Sequence, residues 1–142
     1  VRVDRELLVS ALANLVVNAY EAMAAGDART TPRLVVQLFT RIARRPERAV
    51  RVRQDGEALA ASEDGPSPEL VIGISDTGPG IPEEQRERIF YPFYTTKERG
   101  SGVGLASVQK IVLAHGGHVE LDSRPGEGCA FRVHLPLCRE AS

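Results

Sequence analysis

Apolar residues at Leu8, Leu12, Leu15, Ala19 and Met23 recur at three- and four-residue spacing, so residues 5–24 predict an amphipathic helix. Asp4 stands where an N-cap would, and Gly26 where the helix would close. The pattern then changes. Leu34-Val-Val-Gln-Leu-Phe-Thr40 reads as a strand, and Val50-Arg-Val52 as a continuation of it in a hairpin. Leu70-Val-Ile-Gly-Ile74 is short and mostly apolar, as a buried central strand would be. Pro82 with Glu83 and Glu84 behind it predicts a short helix over 82–90. Residues 91–102 read as loop, with Pro92 and two glycines. Helical spacing returns through Val103, Ala106, Ile111 and Leu113 and stops at Gly116-Gly117. His118–Asp122 and Cys129–Leu135 alternate as two strands, joined by the turn residues Arg124-Pro-Gly-Glu-Gly128.

Size and composition narrow the class. The 142 residues make one domain, 42% hydrophobic, and no internal repeat is visible; a domain this long buries roughly 68–70% of its unfolded surface. A net charge of -1 argues against a dedicated nucleic-acid binder. No apolar run comes near the roughly 18 residues of a membrane span. Val1 in place of Met, with no signal-peptide pattern behind it, reads as a segment excised from a longer chain. Cys129 and Cys138 lie outside any CxxC pair, which argues against a zinc site built on them. They stand at the two ends of one expected strand, too far apart to bridge, and read as reduced thiols of a cytosolic domain.

One stretch stands apart in charge. Residues 41–53 hold six arginines and one acid, and residues 55–69 hold five acids and no Lys or Arg. The favoured reading is a solvated hairpin and loop; a partner-docking surface is the alternative.

Three motifs carry chemistry. Asn14 and Asn18, four residues apart, share a face of the first helix. They are either amides satisfied by neighbouring backbone, or a site where the Asn18 oxygen meets Mg²⁺, an ion that takes oxygen ligands beside substrate phosphates. Asp76 ends an apolar run and leads into Thr77-Gly-Pro-Gly-Ile-Pro82. It either caps the turn or, as an acceptor-only carboxylate, receives a donor such as an adenine amine. Gly78 and Gly80 permit positive φ and leave no side chain between backbone and ligand. Gly100-Ser-Gly-Val-Gly-Leu105 opens a helix, whose N-terminal N–H groups favour phosphate oxygens. Lys97, just before it, is either a solvated lysine or a point charge for a terminal phosphate.

Taken in order, Asn14-Leu-Val-Val-Asn18-Ala-Tyr-Glu-Ala-Met23, Asp76-Thr-Gly-Pro-Gly-Ile81, Phe90-Tyr-Pro-Phe93-Tyr-Thr-Thr-Lys97 and Gly100–Leu105 resemble the N, G1, F and G2 boxes of sensor histidine kinases. The nitrogen-regulation type is the most similar, and the match spans nearly the whole chain. The resemblance implies an α+β fold, the two-layer sandwich shared with gyrase-type ATPases. Its mixed sheet of about five strands would be covered on one face by about three helices. It implies ATP and Mg²⁺ as cofactors. Asp76 would hold adenine, with Gly78, Gly80 and Ile81 shaping the base pocket, and Asn18 would hold Mg²⁺ with Asn14 beside it. Residues 82–102 would form an ATP lid. Thr96, Lys97, Gly100, Ser101, Gly102, Val103, Gly104 and Leu105 would line its phosphate side. Phe90 and Phe93 would pack the lid or meet a partner domain. Residues 41–69 would be an inserted hairpin or loop, longer than the family's usual link.

Two departures refine this. Gyrase-type ATPases carry a general-base glutamate four residues before the Mg²⁺ asparagine. Here Asn14 stands there, and an amide takes no proton at neutral pH, so the pocket suits transfer more than hydrolysis. Sensor kinases keep the phosphoacceptor histidine on a separate helical hairpin. His115, His118 and His134 lack that context and read as structural histidines. The expected partners are therefore a dimerisation and histidine-phosphotransfer domain and a response-regulator receiver domain. Neither nucleic acid nor membrane contact is expected, and the isolated domain would be a cytoplasmic monomer. The rivals are a stand-alone serine kinase of the anti-sigma type, which usually lacks the F box, and a nucleotide sensor without transfer activity.

Overall fold

The structure, a computed structural model, describes residues 3–43, 51–52, 58–59, 67–97 and 100–137. Helix α1 spans Arg5–Ala24, and Asp4 caps it by accepting the N–H groups of Glu6 and Leu7 at 3.0 and 3.1 Å. Strands β1 (Leu34–Ala43), β2 (Arg51–Val52), β3 (Ala58–Leu59) and β4 (Ser67–Asp76) follow. Two 3₁₀ turns, Glu83–Gln85 and Arg88–Phe90, lead to α2 (Gly104–Ala114), β5 (His118–Ser123) and β6 (Cys129–Pro136).

The sheet runs β1-β4-β6-β5, with every pairing antiparallel. Both helices lie on one face. Ala11, Leu15 and Ala19 of α1 and Val108 and Val112 of α2 close over Ile72, Ile74, Phe131, Val133 and Leu135. This is the expected two-layer sandwich of helices on a sheet. Among the described residues, however, the sheet has four antiparallel strands where about five in a mixed sheet were expected. Arg51–Val52 does not extend β1 but pairs with Ala58–Leu59 in a separate small ladder, and Val50 lies outside the described residues.

Other boundaries moved for physical reasons. β4 begins at Ser67, three residues before its apolar run, because its ladder with β1 continues through Glu69 opposite Arg41. The helix expected over 82–90 is two 3₁₀ turns. Its N–H groups reach back three residues, from Gln85 to Pro82 and from Tyr91 to Arg88. By length and mean hydropathy (1.5), α1 alone among the described residues could cross a bilayer. That corrects the expectation that nothing approaches such a length. One face of it, Ala11, Leu15 and Ala19, nonetheless packs in the core, and the helix lies against α2 and β4. Cys129 is buried, and Cys138 lies outside the described residues.

Registers set up the site. Leu34 faces Asp76, Asp76 faces Cys129, and Cys129 faces Ser123, so these four form one row at one end of the sheet. Leu15 is fully buried in the α1 face that supports this arrangement. Leu15→Ala should cost about 2–5 kcal/mol of unfolding free energy, measured by denaturant titration.

Candidate functional site

The turn after β4 is held from two sides. Asp76 is buried, and its Oδ1 accepts the Gly78 N–H at 2.8 Å. Desolvation raises its pKa above the usual 3.8, while the Gly78 and Cys129 N–H groups pull it back. Thr77 Oγ1 accepts the Arg33 N–H at 2.9 Å and donates to the Thr31 carbonyl at 3.2 Å. On the other side, the Gly126 N–H donates to Pro79 O at 2.7 Å.

Packing requires glycine at 80 and leaves little room for a side chain at 78. A Cβ on Gly80, at φ +75°, would lie 2.1 Å from the Arg124 carbonyl oxygen. A Cβ on Gly78 would lie 2.9 Å from Asp76 Oδ1 and 3.2 Å from Ala22 of α1. The expectation of positive φ therefore holds for Gly80 and not for Gly78.

Ser123, which no motif in the sequence singles out, ties this end of the sheet together. Its Oγ accepts the Ile81 N–H at 2.9 Å, donates to Gly128 O at 2.8 Å and touches Cys129 Sγ at 3.1 Å. The available signal was a lone hydroxyl on the inward side of an alternating strand, after Val119 and Leu121.

The segment after Phe90 folds back onto α1. Lys97 Nζ donates to Asn18 Oδ1 at 3.2 Å and pairs with Glu21 one turn away. Lys97 and Asn18 are 79 positions apart. Asn14 is half-buried one turn earlier on α1. Thr95 Oγ1 accepts the Lys97 N–H at 3.0 Å, and Thr96 and Ser101 are exposed.

Phe93 and Gly102 close the segment. Phe93 donates its N–H to Gly102 O at 2.8 Å, and both residues have positive φ, 67° and 70°. Only Gly fits at 102, since a Cβ there would lie 2.4 Å from the Phe93 carbonyl carbon. Phe90 packs edge-on to Phe131 in the core at 6.2 Å, whereas Phe93 is 79% exposed. Phe90 thus packs as a core residue, and Phe93 does not.

Helix α2 starts at Gly104, one residue later than expected, with Val103 at the cap position and Leu105 against the core. No side chain caps it, and a Cβ on Gly104 would meet nothing within 4 Å. Its first N–H groups thus have no capping side chain among the described residues, as an anion site requires. A cleft of about 300 Å³ adjoins Asp76, Ser123, Arg124 and Gly128. Another of about 350 Å³, lined by Arg86, Phe90, Gln109 and Leu121, touches none of the three motifs. The geometry therefore joins Asn18, Glu21 and Lys97 directly, and ties the Asp76 turn to α1 through Gly78 and Ala22.

The chain is similar in sequence and fold to known proteins. The sequence pattern of the family described as histidine kinase-, DNA gyrase B-, and HSP90-like ATPase matches residues 3–139. The chain is 40% identical over 137 residues to nitrogen regulation protein NtrY of Azorhizobium caulinodans, covering 94% of this chain and 14% of NtrY. It thus spans a small part of that relative's length. Among solved structures, the mycobacterial sensor histidine kinase MprB superposes with a TM-score of 0.64 at 27% identity, covering 94% of this chain and 72% of that one. Full-length ShkA in complex with AMPPNP superposes with a TM-score of 0.60 at 26% identity, covering 96% of this chain and 22% of that one.

Asp76 should trade stability for binding. Its raised pKa means that the ionised carboxylate is less favourable folded than unfolded, a cost present at neutral pH and lost as pH falls toward 3.8. Asp76→Asn should therefore melt at or above the parent's temperature at pH 7, with the difference shrinking in acid. The same variant should lose ATP binding, and tight binding retained by Asp76→Asn would remove Asp76 from the adenine role. Ser123→Ala should weaken nucleotide binding about tenfold by calorimetry, because the Ile81 N–H and Gly128 carbonyl lose their shared partner.

Proposed function

Because the chain belongs to the histidine kinase-, DNA gyrase B-, and HSP90-like ATPase family, we propose that it binds Mg-ATP and donates the γ-phosphoryl group to a histidine on a separate dimerisation domain. A response-regulator receiver domain would then take the phosphoryl group in a cytoplasmic two-component system. The observation that carries this reading is Lys97 on Asn18 and Glu21, which brings a cation from the segment before α2 onto the N-box helix.

The donor set fits Mg²⁺. Asn18 Oδ1 already accepts a cationic group, and a hard ion with few protein ligands suits one amide oxygen beside phosphates. Asn18 would hold the ion, which when bound supplies charge neutralisation between the phosphates. Asp76 would accept the adenine amine, and the uncapped start of α2 would face the phosphate oxygens. Lys97, released from Glu21, would neutralise charge at the γ-phosphate while the acceptor nitrogen attacks phosphorus and ADP leaves. Asn14 cannot take a proton from water, so positioning and charge, not base catalysis, would drive the step.

The test is incubation of the chain with labelled ATP and its cognate acceptor domain. Phosphohistidine should form on the acceptor; its absence with an intact acceptor would favour a binding-only nucleotide sensor. Asn18→Ala should abolish Mg²⁺-dependent ATP binding. Lys97→Ala should lower transfer by about tenfold or more while changing ATP affinity less, read from single-turnover rates against a calorimetric Kd.

A further inference from the structure

The sheet face turned away from α1 and α2 carries a second cluster of chemistry. His118 on β5 and His134 on β6 are direct cross-strand partners. Their rings stack at 4.3 Å with planes 2° apart. Glu120, two residues along β5, projects from the same face. Its Oε2 lies 3.1 Å from His134 Nε2, and its Oε1 lies 3.8 Å from His118 Nε2.

His134 is fully buried, and its Nε2, though close to Glu120, is not angled to hydrogen-bond with it and has no other partner among the described residues. Its Nδ1 sits 3.4 Å from Glu69 Oε2 and 3.2 Å from the Arg41 guanidinium. One donor atom from each of His118, Glu120 and His134 lies within 4.8 Å of the others.

We propose that His118, Glu120 and His134 form a binding site for a divalent transition ion such as Zn²⁺, on the opposite sheet face from the nucleotide pocket. The donors suit it: two imidazoles and a carboxylate favour zinc-like ions over Mg²⁺, and a fourth position remains for water. Bonds of about 2.0–2.1 Å place tetrahedral donors about 3.3 Å apart. Glu120 meets the two rings with different oxygens, Oε2 at 3.1 Å from His134 Nε2 and Oε1 at 3.8 Å from His118 Nε2, so one oxygen must turn between them to serve as a single ligand. Closing the remaining spread requires His118, 43% exposed on the edge strand, to tilt out of its stack.

His134 Nδ1 accepts from Arg41 in this structure, so metal binding at Nε2 requires Arg41 to let go and Nδ1 to turn donor toward Glu69 Oε2, 3.4 Å away, which would then orient the ring. Arg41 opposes the ion. It lies 3.9 Å from Glu120, 3.4 Å from Glu69 and 3.2 Å from His134 Nδ1, so metal binding requires it to give up Glu120 and His134 and keep Glu69. The site is independent of the nucleotide reading, since none of its residues belongs to that pocket.

Zn²⁺ titration of the 142-residue chain in Mg²⁺ buffer tests the proposal. One ion should bind per chain. His118→Ala and Glu120→Gln should each weaken binding by about tenfold or more while ATP affinity stays unchanged, and Arg41→Met should tighten it. Co²⁺ in place of Zn²⁺ should give a tetrahedral spectrum without a thiolate charge-transfer band. Undiminished binding in both ligand variants, a thiolate band implicating Cys129 or Cys138, or no zinc binding by the parent chain would each overturn it.

Discussion

The site depends on the close approach of two backbone turns at one end of the sheet. The turn after β4 and the turn between β5 and β6 meet without side chains between them. A Cβ on Gly80 would strike the Arg124 carbonyl, and one on Gly128 would strike the Asp76 carbonyl at 2.0 Å. Ser123 and the Gly126 N–H fasten the contact with hydrogen bonds. Everything chemical about Asp76 follows. The row it shares with Cys129 and Ser123 buries it, two backbone N–H groups aim it, and α1 backs it through Ala22. A buried carboxylate is costly unless its acceptor sites are used, and a ligand amine can use what the backbone leaves.

The second constraint is electrostatic. Lys97 reaches α1 from the far side of the chain, and its ammonium lies on the oxygen proposed to hold Mg²⁺. One amide oxygen cannot serve both cations fully, so nucleotide loading would be linked to release of Lys97. The segment before α2 is thereby fastened to α1 at Lys97 and closed on itself by Phe93 and Gly102. With Asn14 in place of a base, the proposed site would position a phosphoryl group for an outside acceptor.

Much of the fold was legible because local signals agreed. The stripe from Leu8 to Met23, the Asp4 cap and the glycines after Ala114 marked both helices within a residue. Long-range pairing was not legible. Nothing local at Pro68 and Glu69 says that β4 has begun, since the cause is the partner strand's Arg41. The 82–90 segment has helical composition but closes its bonds at three residues, which composition does not distinguish. The motif residues themselves stood out, yet the reason for Gly78 (contact with Ala22) and the role of Ser123 required the fold. The His118–His134 stack was equally hidden, because it depends on a cross-strand register.

The central claim is that three separated motifs act as one pocket. Backbone NMR of the 142-residue chain, titrated with a non-hydrolysable ATP analogue and Mg²⁺, tests it most directly. A single pocket predicts that Asn18, Gly78, Gly102 and Gly104 shift together with one apparent Kd. Shifts confined to one motif, or separate affinities for the Asp76 turn and the start of α2, would contradict it.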